Sequence, residues 1–196
     1  FYPLEKLLYK TARINETTEM TWKEHLYAML GINLIWFLMC MMILMFQHLL
    51  PLNPDGNPGM SADLAFNTSI SFLVNCNLQH YSGETGLSYL GQLFLMFLQF
   101  VSAATGMAAA AVLFIALKTK QGTALGNFYK LFVRSITRIL LPHSLILSIA
   151  FLLNGMPMTF EGKDTVVSLQ GDTMHVSTGP VAAFTAIKHL GTNGGG

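Results

Sequence analysis

Two long stretches without a charged residue constrain the fold of this chain more than any other feature of its sequence. The first runs from Leu26 to Phe46, and the second runs from Gly86 to Leu117. Because an α-helix rises about 1.5 Å per residue, roughly 20 apolar residues cross the hydrocarbon core of a bilayer. A third apolar stretch, Ile139 to Met158, is also long enough to cross, with Pro142 near its start. The sequence therefore predicts three membrane-spanning helices.

The composition excludes an ordinary soluble domain. Hydrophobic residues make up 52% of the 196 residues and charged residues only 11%, whereas a soluble domain carries about 25% charged residues. The formal net charge is +1 and neither end has an acidic or basic tail, so nucleic acid is not an expected partner. Cys40 and Cys76 fit neither a disulfide framework nor a metal-ligand spacing. We expect an all-α integral membrane protein in contact with membrane lipids.

Basic residues form two blocks that predict the orientation of the chain. Residues 1–25 contain four of them, and residues 118–138 contain five and no acidic residue. By the positive-inside rule, we expect both blocks to lie in the cytoplasm and the loops at the other end to lie outside. In the first block, Pro3 followed by Leu4, Leu7 and Leu8 predicts a short amphipathic surface helix in a juxtamembrane segment.

Two segments are too short and polar to span a membrane. In the first, Ser61 and Asp63 suit the start of a helix, which we predict over residues 61–73, and a polar loop follows at residues 74–77. In the second, Pro180 suits the first position of a helix over residues 180–190, and the loop is residues 191–196. Between the third span and this helix, Thr and Val alternate in Glu161 to Thr178 and predict a short hairpin.

The order of these segments predicts an internal repeat. Residues 26–117 form one unit of span, short helix, polar loop and span, and residues 139–196 form a second unit that stops in its polar loop. Aligning Asn75 with Asn193 gives an offset of 193 − 75 = 118, and the same offset pairs the Ala-Phe dipeptides that begin at Ala65 and Ala183. Phe1 is not an initiator Met and the chain ends in glycines, so we expect a fragment of a longer chain.

The chemistry of the two loops predicts cation binding. Irregular backbone at membrane depth is tolerated only where protein shields it or water fills a cavity, because each unpaired carbonyl in hydrocarbon costs several kcal/mol. In potassium filters the carbonyls are paired with the ion itself, because rings of backbone carbonyls replace its hydration shell. Gly and Asn adopt the left-handed conformations that turn successive carbonyls to one side.

Two runs of sequence carry a family resemblance. FNTSISFLVNCNLQHYSGET, with PLNP before it, and AIKHLGTNGGG at the end resemble the first two pore segments of the KdpA family, the potassium-channel-like subunits of bacterial Kdp potassium-importing ATPases. The resemblance covers essentially the whole chain, as an N-terminal-half fragment. It implies four membrane-pore-membrane units around one filter, in a family related to the Trk, Ktr and HKT potassium transporters.

The resemblance also implies partners and a location. They are a P-type ATPase subunit (KdpB-like), a KdpC-like subunit and a small KdpF-like subunit in the bacterial inner membrane. The implied ligand is the potassium ion, without an organic cofactor. ATP is bound by the partner subunit, because this chain carries no recognisable catalytic residues and would act as a non-catalytic subunit.

The resemblance assigns two filter strands, at Val74 to Asn77 and at Thr192 to Gly195. The implied potassium-binding residues are Val74, Asn75, Cys76, Asn77, Thr192, Asn193, Gly194 and Gly195. Gln79 matches a glutamine close to the ion path, and Glu84 is either a cation-concentrating residue at the mouth or a solvated loop carboxylate. The family usually has Thr-Asn-Thr-Asn-Trp in the first loop, where this chain has Val74, Cys76 and Leu78 instead of the threonines and the tryptophan.

Three other interpretations compete with this one. GTNGGG would suit a phosphate-binding loop of a nucleotide enzyme, but no GxxxxGK[ST] motif and no strand before the glycines accompany it. A Trk-, Ktr- or HKT-like pore that works without an ATPase is the second interpretation. A purely structural membrane subunit is the third, and the two polar loops argue against it.

Overall fold

The computed structural model describes residues 1–119 and 124–193 of the chain. The helices are α1 (Tyr2–Thr11), α2 (Trp22–Met45), α3 (Ala62–Leu73), the single turn α4 (Gly83–Gly86), α5 (Tyr89–Lys118), α6 (Phe128–Arg134), α7 (Leu141–Leu153) and α8 (Val181–Leu190). A 3-10 turn, Gln47–Leu49, follows α2, and a π-helical stretch, Ser135–Leu140, joins α6 to α7. The strands β1 (Lys163–Val167) and β2 (Thr173–Ser177) form an antiparallel hairpin. The fold is mostly helical, and the predicted hairpin is present.

Three helices are long and apolar enough to cross a membrane: Trp22–Met45, Tyr89–Lys118 and the continuous helix Phe128–Leu153. The third begins earlier than expected, since residues 128–138 were predicted as part of a basic loop. Asn127 explains the early start, because its side-chain oxygen accepts a hydrogen bond from the Lys130 backbone N–H at 3.1 Å and caps the helix. Lys130, Arg134 and Arg138 of the basic block therefore lie on a helix.

Pro142 lies in the third long helix without ending it. A proline lacks the backbone N–H, and its ring clashes with the carbonyl four residues earlier, which here belongs to Arg138. The π-helical stretch Ser135–Leu140 lies directly before this position. The wider turn relieves the clash, so that the helix continues from α6 into α7.

The two basic blocks lie at the same end of the helix bundle. The backbone N–H of Met20 donates to the carbonyl of Gly126 at 2.8 Å, and the Leu125 N–H donates to the carbonyl of Met20 at 3.0 Å. The Glu19 carboxylate accepts from the Gly126 N–H at 2.6 Å. Both blocks therefore lie at one end of the bundle, which is the arrangement that a shared side of the membrane requires.

A buried carboxylate fixes α1 to the third long helix. Glu5 is fully buried and accepts hydrogen bonds from the Arg138 guanidinium at 2.6 and 2.7 Å and from the Thr137 hydroxyl at 3.0 Å. The Arg138 hydrogen bonds lower the pKa of Glu5 to about 2, against the opposing effect of burial. Leu4, Leu7 and Leu8 lie on the exposed side of α1.

The opposite end is held by Gln47 and Tyr89. The Gln47 side chain is fully buried, donates to the carbonyls of Pro58 and Gly86 at 2.6 and 2.8 Å, and accepts from the Ser88 N–H at 2.9 Å. The Tyr89 hydroxyl accepts from the Gly162 N–H at 3.1 Å and so ties the hairpin to α5. These bonds connect the loops after α2 and α7 to the start of α5.

A hydrophobic cluster fixes α3 between α2 and α5. Its buried members include Cys40 and Leu44 of α2, Ala65 and Phe72 of α3, and Leu95 of α5. Each of these side chains is at most 2% exposed. The position of the loop that follows α3 is therefore set by close packing of apolar side chains.

Candidate ion-binding loops

The helix α3 places the first loop, which we define as residues 74–79. The helix α3 has twelve residues, begins after Ser61 and ends at Leu73, so its bounds are close to the helix predicted over residues 61–73. Ser61 occupies the N-cap position, but its side chain makes no capping hydrogen bond, contrary to its expected role. The buried face consists of Ala65, Thr68, Ser69, Ser71 and Phe72.

Ser71 organises the first loop. Its backbone carbonyl accepts from the N–H groups of Cys76 and Asn77 at 2.9 and 3.2 Å. Its hydroxyl oxygen accepts from the Leu78 N–H at 3.1 Å and lies 3.2 Å from the Gln79 amide nitrogen. The N–H groups of the loop thus fold back onto the end of α3.

The carbonyls of the first loop are left without partners. Within residues 1–119 and 124–193, the carbonyl oxygens of Val74, Asn75, Cys76 and Asn77 accept no hydrogen bond. Val74 and Cys76 are exposed and Asn77 is buried, so these carbonyls require a partner from water, an ion or further protein if the loop lies at membrane depth. Four successive carbonyls in this condition are a suitable coordination surface for a dehydrated cation.

Three residues in the two loops adopt left-handed backbone conformations. The φ angles are +63° at Asn75, +52° at Asn77 and +56° at Thr192. Asparagine tolerates this region, but a β-branched threonine does so only at a cost of about 1–3 kcal/mol. The surrounding structure imposes this conformation on Thr192, which is typical of functional sites.

The second loop, which we define as residues 191–193, repeats the backbone geometry of the first with an offset of 117. The Asn75 N–H donates to the carbonyl three residues earlier, and so does the Thr192 N–H. The Cys76 N–H donates to the carbonyl five residues earlier, and so does the Asn193 N–H. The equivalent of Asn75 is therefore Thr192, since 192 − 75 = 117.

The buried faces of the two short helices support the same register. Ala65 and Ser69 of α3 are fully buried, and at an offset of 117 they correspond to Ala182 and Ala186 of α8, which are also fully buried. The expected offset of 118, which matched Asn75 with Asn193, is one residue too long for these segments. The equivalents of Val74, Asn75 and Cys76 are then Gly191, Thr192 and Asn193.

The loops lie near the middle of α5. The hydroxyl of Ser102 donates to the side-chain oxygen of Asn75 at 3.0 Å. Ser102 is close to the midpoint of α5, which begins at Tyr89 and ends at Lys118. With a rise of about 1.5 Å per residue, Asn75 contacts α5 roughly 20 Å from either end. Such a position is at membrane depth if α5 spans the bilayer.

The two predicted ion-path residues line a cavity of about 380 Å³ beside the first loop. Gln79 is half-buried, Glu84 is exposed, and Asn77 and Lys188 line the same cavity. Val74 and Cys76 are exposed, whereas Asn77 is fully buried. Gly194 and Gly195, which were also predicted to bind the ion, lie outside the described residues.

Three amide side chains near the loops are buried without hydrogen-bond partners among the described residues. They belong to Asn77, Asn193 and Gln99 of α5, and both the oxygen and the nitrogen of each are affected. A buried unpaired amide costs about 1–3 kcal/mol. Bound water, an ion or further protein would satisfy these groups.

Sequence reasoning missed Ser71, Ser102 and Gln99. The sequence places Gln99 and Ser102 three residues apart in a run without charges, so that they share one face of α5. Polar residues on one face of a spanning helix usually face the protein interior, and this pattern was available from the sequence. Ser71 is hidden among the other small polar residues of α3.

These features define a helical integral membrane protein in which two short helices end in loops beside a long apolar helix. The chain belongs to the KdpA family: the family model for the potassium-transporting ATPase A subunit matches residues 1–196. The resemblance seen in the two loop sequences is thereby confirmed.

Similar proteins carry the name potassium-transporting ATPase potassium-binding subunit. The chain is 64% identical to the one from Flavobacterium psychrophilum and 63% identical to the one from Flavobacterium johnsoniae, over 196 residues in each case. It is 53% identical over 195 residues to the one from Phocaeicola vulgatus. The alignments cover 99–100% of this chain and 34% of each relative, so the chain spans about a third of their length.

Proposed function

We propose that this chain supplies two strands of a potassium-selective filter in an ATP-driven potassium import complex. The observation that carries the proposal is the run of four unpartnered carbonyls from Val74 to Asn77, beside a helix long enough to span the membrane. A dehydrated potassium ion supplies the positive charge that such carbonyls need. The names of the similar proteins identify potassium as the ion those proteins bind.

The short helices add to the attraction for a cation. Both α3 and α8 end directly at their loops, so the negative ends of their dipoles lie there. The equivalent backbone geometry at Asn75 and Thr192 supports the proposal that each membrane-pore-membrane unit supplies one filter strand. Four strands then require two further units, and we place them in the part of the relatives that this chain does not cover.

In this proposal the chain binds and passes potassium but does not hydrolyse ATP. A P-type ATPase subunit supplies the energy, with KdpC-like and KdpF-like subunits completing the complex in the bacterial inner membrane. Glu84 and Gln79 line the approach to the filter from outside, and the basic blocks face the cytoplasm. The names of the relatives favour this assembly over a Trk-, Ktr- or HKT-like pore that works without an ATPase.

Modification of Cys76 tests the proposal. Cys76 is exposed in the first loop, whereas Cys40 is buried among apolar side chains. In the full-length protein in its complex, with any cysteine outside residues 1–196 replaced, a small methanethiosulfonate reagent should abolish potassium-stimulated ATP hydrolysis. Potassium should slow the modification, because an ion bound at the loop carbonyls covers the thiol. Sodium should not slow it, because the proposed filter binds potassium selectively.

The control is Cys76→Ser, which should retain activity and resist the reagent. Inhibition of this variant by the reagent would place the reactive thiol elsewhere. If modified Cys76 left the potassium dependence of ATP hydrolysis unchanged, the first loop would not be the filter.

A further inference from the structure

We propose that Ser102 is a positioning residue for the filter, and that it holds the Asn75 side chain as a brace between the first and second loops. The inference rests on the proposed function, because it assigns a role to these contacts in potassium selection. It concerns the side chain of Asn75, whereas the filter itself is formed by backbone carbonyls.

The brace is a chain of two hydrogen bonds. The Ser102 hydroxyl donates to Asn75 Oδ1 at 3.0 Å, and Asn75 Nδ2 donates to the carbonyl of Gly191 at 3.0 Å. The same Nδ2 lies 3.4 Å from the hydroxyl oxygen of Thr192. A carbonyl only accepts, so the Gly191 contact fixes which end of the amide faces the second loop. The remaining end, Oδ1, needs a donor, and Ser102 provides it.

The Ser102 hydroxyl lies within hydrogen-bonding distance of two acceptors, one in the first loop and one in its own helix. Its hydroxyl has one proton and lies 3.0 Å from Asn75 Oδ1 and 3.2 Å from the Gln99 carbonyl one turn earlier. A serine in an isolated helix would bond only to its own helix. Here the approach of the first loop gives the proton a second acceptor, and the hydroxyl links α5 to the loop.

The brace joins residues that the backbone register makes neighbours. At an offset of 117, Gly191 is the equivalent of Val74, so the Asn75 side chain reaches the position before its own counterpart in the second loop. Among residues 1–119 and 124–193, no other hydrogen bond joins residues 74–79 to residues 191–193. The Asn75 side chain is therefore the hydrogen-bonded link between the two loops in the described part of the chain.

Strand separation matters for selection because a filter discriminates by the size of its cage and by the number and stiffness of its carbonyls. Without the Ser102 hydrogen bond, Asn75 can change rotamer and release the Gly191 carbonyl. The two strands can then close around a smaller ion. We expect weaker potassium binding and reduced discrimination against sodium, with no change in the ATP chemistry of the partner subunit.

The test measures potassium-stimulated ATP hydrolysis by the full-length protein in its complex. Ser102→Ala should raise the KM for potassium roughly fivefold, as expected for the loss of one neutral hydrogen bond, and should leave kcat unchanged. Sodium should also become a better competitor. The matched control is Ser144→Ala, because Ser144 is similarly buried in α7 and, in the described part of the chain, its hydroxyl donates only to the carbonyl of Leu141 in its own helix.

A double-mutant cycle separates the brace from a local packing effect. Asn75→Gly removes the side chain but suits the positive φ at this position and keeps the backbone carbonyl. It should raise the KM for potassium at least as much as Ser102→Ala does. Once Asn75 is glycine, adding Ser102→Ala should change nothing further, since the hydroxyl has lost the group that it positions.

Several outcomes would overturn the brace. They are a KM for Ser102→Ala equal to that of Ser144→Ala, a loss of kcat with unchanged KM, or additive effects in the double mutant. Failure of the proposed function is distinguishable, since the Cys76 experiment would then show no link between the first loop and potassium. If Cys76 responds as expected and Ser102→Ala does not, only the brace is wrong.

Discussion

At the scale of single residues, the loops depend on a few positions with left-handed backbone torsion angles and on one glycine that leaves space for its neighbours. Asn75 and Asn77 tolerate positive φ, and their carbonyls remain unpartnered. Thr192 is held in the same backbone region against its own preference. Gly191, by contrast, has an ordinary φ of −74° and is required for space, not for its torsion angles.

Gly191→Ala should weaken potassium binding through steric conflict. A Cβ at this position would collide with the Asn193 side chain and lie 3.2 Å from the backbone carbonyl of Gln99, which cannot move freely within α5. We expect the KM for potassium in the full-length complex to rise about tenfold, since the second loop must shift.

The control for this substitution is Gly31→Ala in α2. A Cβ at Gly31 would meet no atom within 4 Å. Alanine favours a helix over glycine by about 0.5–1 kcal/mol, so the control should keep the wild-type KM and unfold no more easily than wild type. Equal KM values for the two variants would contradict the role of Gly191.

Ser71→Ala should loosen the first loop. The substitution removes the hydroxyl that accepts from the Leu78 N–H and contacts the Gln79 amide, and leaves a polar backbone group unpaired. We expect about a tenfold rise in the KM for potassium. Ser69→Ala is the control, because the Ser69 hydroxyl donates to the Ala65 carbonyl of its own helix and, among the described residues, makes no hydrogen bond to the first loop. A normal potassium KM in Ser71→Ala would mean that its backbone carbonyl alone holds the loop.

The residue register shows where sequence reasoning reached its limit. Both loops contain asparagines, and the identity of Asn75 with Asn193 gave the offset of 118. Backbone hydrogen bonds pair Asn75 with Thr192 instead. The backbone turns after α3 and α8 have the same hydrogen-bond pattern. This backbone pattern is compatible with different side chains at equivalent positions. Composition and residue identity alone carry no information about this choice.

At the scale of secondary-structure elements, hydrophobicity predicted the three long helices because the bilayer requires long apolar segments. The start of the third was missed, since a rule that counts basic residues as loop overlooks the cap at Asn127. The side of α1 was also difficult to predict. The amphipathic helix was predicted, but nothing in its sequence indicated that Glu5 and Tyr9 are the side chains that it buries against the protein. A carboxylate is buried here because Arg138 is distant in sequence and close in space.

The attachment of α1 should depend on pH through Glu5. Its pKa is about 2 in the folded protein and about 4.5 ordinarily, so the deprotonated form favours the attached helix. This stabilisation is fully present above pH 4.5 and is lost as the pH falls from about 4.5 towards 2. In full-length protein carrying Cys76→Ser, with any cysteine outside residues 1–196 replaced, spin labels at Leu7→Cys and Lys118→Cys should report a narrow distance distribution at pH 7 that broadens in this window.

Glu5→Gln provides the reference for the pH experiment. Glutamine cannot form the ion pair with Arg138, so we expect the detached fraction at pH 7 to be about tenfold higher than in wild type. Because the variant lacks the titrating group, its distance distribution should not broaden further between pH 4.5 and 2. Equal distributions for the variant and wild type at pH 7 would show that apolar packing alone holds α1.

At the scale of the whole molecule, the three long helices present apolar side chains outward. Leu113 and Phe114 of α5 and Leu145, Ile146 and Leu153 of α7 are all more than half exposed. Such surfaces face lipid or other helices of a membrane complex. Polar contacts are concentrated at the two ends of the bundle and at the loops between them, which is the arrangement expected when the middle of the molecule lies in a bilayer.

The two ends should lie on opposite sides of the membrane, and labelling of single cysteines tests this. Thr17 is exposed at the end formed by the basic blocks, and Leu169 is fully exposed between β1 and β2 at the other end. In full-length protein carrying Cys76→Ser, with Cys40 left buried, Leu169→Cys should react with a membrane-impermeant maleimide in intact cells. Thr17→Cys should react only after the membrane is permeabilised, because the basic blocks favour the cytoplasm. Labelling of both positions in intact cells would contradict three membrane crossings, and the reverse pattern would invert the proposed direction from which potassium enters the loops.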